Sequence, residues 1–335
     1  MNSSVLVPVF VTLALMGSPQ ERQGAVAVRF SKDAGATWEA TSLAELPDFR
    51  RFCAGPSSSF LFTKNSLFRS RDGGKAWDSI RIPERLSLND VDIDAKGTIH
   101  LAHSDGISVS VDDGKNWTLI PFKADQHGGF SVSTAPGVVA VHDGAIFIVT
   151  AGGGLIIKRS RDSGKTWDAV HEAKGYIGAM TIAAKSGMIA ALADNDGCII
   201  GKDGGKTWTR GDKGIEGINV GGGAIAISPA DDLQLACAVV DTFRPRPSFG
   251  VYRSVDGGSS WQKVDGLPAV GWQTDGAKGW HLEFSGDGKT LFAGSTEGLF
   301  RVEVREGKLR EKEPILKAPV RGLGRTGDAL LVASP

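Results

Sequence analysis

SRDGGKAW, from Ser70 to Trp77, is one of six copies of a single motif. The others are SKDAGATW (Ser31 to Trp38), SVDDGKNW (Ser110 to Trp117), SRDSGKTW (Ser160 to Trp167), GKDGGKTW (Gly201 to Trp208) and SVDGGSSW (Ser254 to Trp261). The pattern is S-x-D-x-G-x-x-W, with Gly201 once in place of Ser. The tryptophans follow one another at 39, 40, 50, 41 and 53 residues. A period near 40 is that of a four-stranded propeller blade. Around each copy the same order recurs: an apolar strand, a second such as Thr98 to Ser104, a short third such as Ile107 to Val111, the motif, and a strand opening at the Trp.

The motif has a physical logic. Ser and Asp side chains accept hydrogen bonds from backbone N–H groups in a tight turn. Gly takes backbone angles that a Cβ forbids. Trp brings apolar surface that folds under the turn and clamps the hairpin. The six motif aspartates are therefore read as structural, not as catalytic or metal-binding groups.

A further unit follows without the motif, running from Trp280 through Glu313. The tail then supplies two strands, Val320 to Arg325 and Asp328 to Ser334, while Ala25 to Trp38 supplies two more. Joined in one blade they close the ring and remove exposed strand edges. The expectation is an all-β, seven-bladed β-propeller of four-stranded antiparallel blades, with eight blades as the fallback. Residues 25–335 form this single domain. Residues 1–24 hold the apolar run Val5 to Met16, too short to span a bilayer. It reads as a signal peptide or as a first core strand, in which case the tail would pack elsewhere. The first reading places the protein outside the cytoplasm, secreted or periplasmic, and the second keeps it cytoplasmic.

Composition fits a globular chain. Lys+Arg and Asp+Glu both number 38, so no net field draws the chain to nucleic acid or anionic membrane. The 45 glycines are roughly twice the usual share and fit many tight turns. Cys53, Cys198 and Cys237 lie far apart in apolar runs and read as buried small residues rather than a disulfide or zinc framework. No cofactor and no metal site is expected: His100 and His103 are three apart on a strand and point to opposite faces, and the other histidines are isolated.

The repeat resembles the Asp-box (BNR) propeller superfamily over nearly the whole chain. That group includes sialidases, other glycosidases, sortilin-type receptors and photosystem II stability/assembly factors. The resemblance implies that the box turns join the third and fourth strands on one face, and that ligands bind the opposite face. Insertions expected there are Phe122 to Pro136 (with Asp125 and His127), Val240 to Gly250 (with Arg244 and Arg246), Gly266 to Trp280 (with Trp272, Asp275, Lys278 and Trp280) and Ser18 to Gly24 (with Glu21 and Arg22). The first residues of innermost strands should line the same face: Arg50, Arg51, Asn89, Asp90, Tyr176, His281 and Glu283. Trp272 and Trp280 are not consumed by boxes, so each reads as a sugar or peptide platform or as the anchor of its own loop.

Sialidases are expected to hold three arginines, a Tyr–Glu pair and an acid/base Asp. Here Leu6-Val7-Pro8 precedes the first box without an arginine, and Arg81-Ile82-Pro83 follows the second box as ordinary blade sequence. Tyr252 sits in a structural slot, and Tyr176 has no evident glutamate partner. The sequence therefore predicts a non-catalytic module, monomeric, binding a protein partner or a glycan through the face opposite the boxes. This resembles the assembly-factor branch, where a lone disk binds a protein. Arg50, Arg51, Arg244, Arg246, Trp272, Trp280 and His281 are its candidate ligand contacts. The alternative is a secreted glycoside hydrolase or lyase, with Asp90, Asp275 and Glu283 as candidate carboxylates.

Overall fold

The structure, a computed structural model, describes residues 24–122, 126–127, 130–131, 136–150, 156–194, 196–215, 224–241, 248–271 and 279–335. Seven antiparallel sheets form the seven blades of a propeller. Their innermost strands are Phe49–Ala54, Leu88–Ile93, Pro136–His142, Ile177–Ile182, Ala224–Ile227, His281–Phe284 and Gly322–Thr326, which number blades 1 to 7. Blade 5 gains an extra short strand, Val270–Gly271, paired with Ser248 and Phe249. A small hairpin, Gln126–His127 with Phe130–Ser131, lies in the connection from blade 2 to blade 3. No helix among the described residues is long and apolar enough to cross a membrane.

The ring closes through both ends of the chain. Blade 7 runs Gly322–Thr326, Ala329–Ser334, Ala27–Ser31, Glu39–Ala40 from axis to rim. Ala27 to Ser31 pair in register with Ser334 to Leu330. The second-strand position of this blade is thus filled by the tail; Val5 to Met16 lies outside the described residues.

Second strands are mainly apolar and are largely buried along their length. Ser59–Thr63, Ile99–His103, Ile189–Ala193, Thr290–Ser295 and Ala329–Ser334 are buried throughout. A strand in mid-blade is covered by a neighbouring blade on each face, so the usual in–out alternation disappears. The core is correspondingly divided. Seven hydrophobic clusters each straddle one blade junction, such as Leu61 and Trp77 of blade 1 with Leu331 and Ala333 of blade 7. Cys53, Cys198 and Cys237 are buried free thiols in these clusters.

Five of the six motifs form the same turn. In the third, Ser110 Oγ accepts from Gly114 N at 2.8 Å and donates to Asp112 Oδ1 at 2.9 Å, and Asn116 N donates to the same carboxylate at 2.9 Å. Hydrogen bonds from the fourth residue after each Asp (Thr37, Asn116, Thr166) hold the Asp33, Asp112 and Asp162 carboxyls down at about 2. The box also joins blades. A Cβ on Gly74 would lie 2.5 Å from Leu331 of blade 7, and one on Gly114 would lie 2.3 Å from Ile80 of blade 1. The Trp117 and Trp261 rings lie against the glycines of their own turns, and their Nε1 atoms donate to Arg81 O and Gly211 O of the preceding blades.

The motif at Gly201 departs from the other five. Without the serine hydroxyl, the third strand runs on through Lys202, which pairs with Thr207. Asp203, Gly204 and Gly205 take successive positive φ angles of 53°, 64° and 74°. Arginines ahead of the boxes latch blades together: Arg159 Nη1 donates to Gly204 O of blade 4 at 2.8 Å, and Arg69 Nη1 lies 2.8 Å from Asp113 Oδ1 of blade 2.

Candidate functional site

In an antiparallel blade the first and third strands run the same way, so each starts on the face opposite the box turns. The starts of the innermost strands converge there on an axial cavity of about 430 Å³. Its wall includes Arg50 and Arg51 of blade 1, Asn89 and Asp90 of blade 2, and His281 and Glu283 of blade 6. Six of the seven strand-start residues singled out in the sequence thus share one cavity. Tyr176 does not line it and is exposed at the surface.

An innermost strand has an open inner edge. Alternate residues pair with the second strand, and those between turn their N–H and C=O toward the axis. On one side of the cavity these groups are capped by side chains of the preceding blade. Arg51 Nη2 and Cys53 Sγ donate to Val91 O of blade 2 at 2.8 and 3.1 Å. Asp90 Oδ2 and Asp92 Oδ2 of blade 2 accept from Val139 N and Val141 N of blade 3 at 3.0 and 2.7 Å. Arg51 Nε also lies 2.8 Å from Asp90 Oδ1. Asp90, a candidate catalytic carboxylate, is therefore engaged at both oxygens. It joins three blades.

Burial shapes the protonation of Glu283 in the wall and of the capping groups Asp92 and Cys53. Desolvation raises the Asp92 carboxyl to about 7 against the opposing charge of Arg51. Desolvation likewise raises Glu283 to about 7, opposed by Arg325, whose Nε lies 3.6 Å from Glu283 Oε1. Cys53 is pushed up to about 12 by burial and stays a neutral donor.

Trp280 is not an exposed platform. It is 2% exposed and meets Phe300 edge-on with ring centroids 6.0 Å apart. The ring anchors blade 6, the structural one of its two expected roles. Its Nε1 reaches no hydrogen-bond acceptor. Trp272, Asp275, Lys278, Arg244, Arg246, Asp125, Glu21 and Arg22 lie outside the described residues, as does the side chain of His127.

Sequence reading missed Arg321 and Asp92. Arg321 lines the cavity from the position just ahead of the innermost strand of blade 7, whereas the other lining strand-start residues lie one to three positions into theirs. Asp92 follows Asp90 by two residues and so shares its face of the strand.

No family model and no curated protein matches the sequence. Solved structures do share the fold. The structure of YCF48 bound to D1 peptide superposes with a TM-score of 0.57 at 16% identity, over 85% of this chain and 92% of that one. YCF48 from Cyanidioschyzon merolae gives 0.54 at 16% identity, over 94% and 96%. The GH74 xyloglucanase from Xanthomonas campestris gives 0.61 at 16% identity, over 89% of this chain and 54% of that one. The chain thus spans about the whole length of the first two and about half of the third. At such identities the likeness is one of fold, and it places the chain among β-propellers.

Proposed function

We propose that this chain is a non-catalytic binding propeller that takes an extended, acidic segment of a protein partner at the axial mouth opposite the boxes. The observation that carries this reading is the commitment of Asp90 to Arg51 and to the Val139 amide, beside an exposed Arg50 that pairs with no carboxylate among the described residues. The mouth thereby offers one unpaired guanidinium, that of Arg50, in a wall that also holds Arg51, Arg321, Asp48, Asp90 and Glu283. The burial of Trp280 favours peptide over sugar, since every Trp and Phe ring in the described wall is buried and only the His281 imidazole is partly open. The peptide named in the YCF48 complex, on a propeller of nearly the same extent, supports the same choice. In this reading Val5 to Met16 is an export signal, checked by N-terminal sequencing of the mature protein. The primary test is fluorescence anisotropy with labelled acidic and basic octapeptides; equal affinity for both, or none for either, would sink the reading.

One observation favours a second reading, a glycoside hydrolase. Glu283, raised to about 7 by burial in the cavity wall, has the protonation a general acid needs. Turnover of a panel of fluorogenic glycosides that vanishes in Glu283→Gln would establish it in place of the first.

A further inference from the structure

The inner edges of the seven blades are not treated alike. Those of blades 2 and 3 are capped by Arg51, Cys53, Asp90 and Asp92. Among the described residues blade 5 has no such cap. Ser228 N donates to Gln234 O at 2.9 Å, and the register continues through Ile227 with Leu235 to Ala224 with Ala238. Ala226 and Ala224 therefore share the hydrogen-bonded class of Ser228, while Ile225 and Ile227 turn their N–H and C=O toward the axis. The same alternation correctly places the capped groups of Val91, Val139 and Val141. No partner meets the inward groups of Ile225 and Ile227 among the described residues.

Three further observations bear on this edge. All four residues of Ala224–Ile227 line the cavity. None of the four is fully buried, whereas each other innermost strand with described burial along its length has at least one buried residue. Ala224 and Ala226, with Gly178 and Ala179 of blade 4, put small residues into this part of the wall beside Ile225, Ile227 and Met180. Across the axis stand Arg50 and Arg51. An unpaired N–H and C=O row in a cavity is a template for a further strand.

We infer that an acidic peptide segment binds in the axial cavity as an added strand, pairing its backbone with Ile225 and Ile227 of blade 5 and turning carboxylates toward Arg50. This rests on the peptide-binding reading above and adds the mode of binding. A partner run of about three to four residues, at ~3.3 Å each, matches the length of this edge. Main-chain pairing supplies affinity with little demand on sequence, and the arginine supplies the preference for acid.

The test uses a degenerate octapeptide pool built of Ala, Val, Asp and Glu, from which the tightest binder to the full chain is selected. That octamer is resynthesised with N-methyl at each position in turn. The expected result is a loss of at least tenfold at alternate positions and little change between them. On binding, amide hydrogen exchange should slow at Ile225 and Ile227, with Ala224 and Ala226 unchanged. An octamer that binds with no period-two loss, or that protects other strands instead, overturns the added strand and leaves the peptide-binding reading standing. A pool from which no octamer binds overturns both.

Discussion

Arg51 Nε sits 2.8 Å from Asp90 Oδ1 across the junction of blades 1 and 2, and the pair is lopsided: the arginine side chain is 46% exposed and the aspartate 8%. Removing the arginine strands a buried carboxylate, whereas neutralising the aspartate leaves a cation that water can reach. Arg51→Ala should cost about 2–4 kcal/mol in urea unfolding. Asp90→Asn keeps an acceptor for Val139 N–H and should cost under about 1.5 kcal/mol. Equal costs would mean that Asp90 does not join the blades as described.

The box glycines should be intolerant for a reason beyond their own turns. Gly74 has φ +91°, and a Cβ there would lie 2.5 Å from Leu331 Cδ2 in the closing blade. Gly74→Ala combines a left-handed backbone penalty with overpacking at the ring seam, about 2–4 kcal/mol in all. Gly73, at φ +78° with open space around its Cβ position, carries only the backbone part. Thermal melts of the two variants should separate clearly, with Gly74→Ala the lower.

Restoring the repeat consensus at Gly201 should destabilise the protein. A Cβ there would lie 2.8 to 2.9 Å from three atoms of the Trp208 ring, which occupies the place the serine has elsewhere. Gly201→Ser must push that ring out of contact with its neighbours, a loss of about 1–3 kcal/mol. A raised melting temperature would show that the turn can revert to the form of the other five.

The fold was readable because its decisive features are local. A turn of eight residues recurs at blade spacing, and the apolar runs at the two ends of the chain complement each other as halves of one blade. The strand-start residues were readable from the same period. What each one does was not, because that depends on the neighbouring blade. Nothing beside Asp90 in the sequence announces Arg51, 39 positions earlier, or Val139, 49 positions later. Trp280 looked like a loop aromatic because the packing partner that buries it, Phe300, arrives only when blade 6 folds on itself. At Gly201 the sequence shows only an exchange for Ser, because the ring that fills its space is seven residues away in the same motif.

The stability that Glu283 and Asp92 contribute should fall as pH rises through neutrality. Burial lifts Glu283 from its ordinary 4.5 to about 7 and Asp92 from 3.8 to about 7. In both cases the folded protein holds the proton more tightly than the unfolded chain. The stabilisation is complete below about pH 4 and disappears as pH climbs through about 7. Their contribution should therefore shrink between pH 5 and pH 8, by about 1–3 kcal/mol per group after allowance for solvent screening. Burial holds the His100, His103 and His171 imidazoles below their ordinary value, which gives an opposing slope, so the test is the difference between proteins. Relative to wild type, the melting temperature of the combined Glu283→Gln and Asp92→Asn variant should rise from pH 5 to pH 8; parallel profiles would contradict the burial of both carboxyls.

Arg50 offers the most direct test of the axial mouth, because nothing in the described structure depends on it. It is exposed and makes no hydrogen bond or ion pair there, in contrast to Arg51 beside it. Arg50→Glu should leave the melting temperature unchanged to within about 2 °C, as expected of a surface substitution. It reverses the charge facing an acidic ligand, so affinity for the acidic octapeptide should fall at least tenfold. The salt dependence should shrink with it, since the attraction that salt screens has been removed. Arg85, exposed but absent from the cavity wall, is the control: Arg85→Glu changes net charge by the same amount and should leave binding within about twofold. Equal losses in the two variants would mean that the acidic peptide responds to overall charge and not to the mouth.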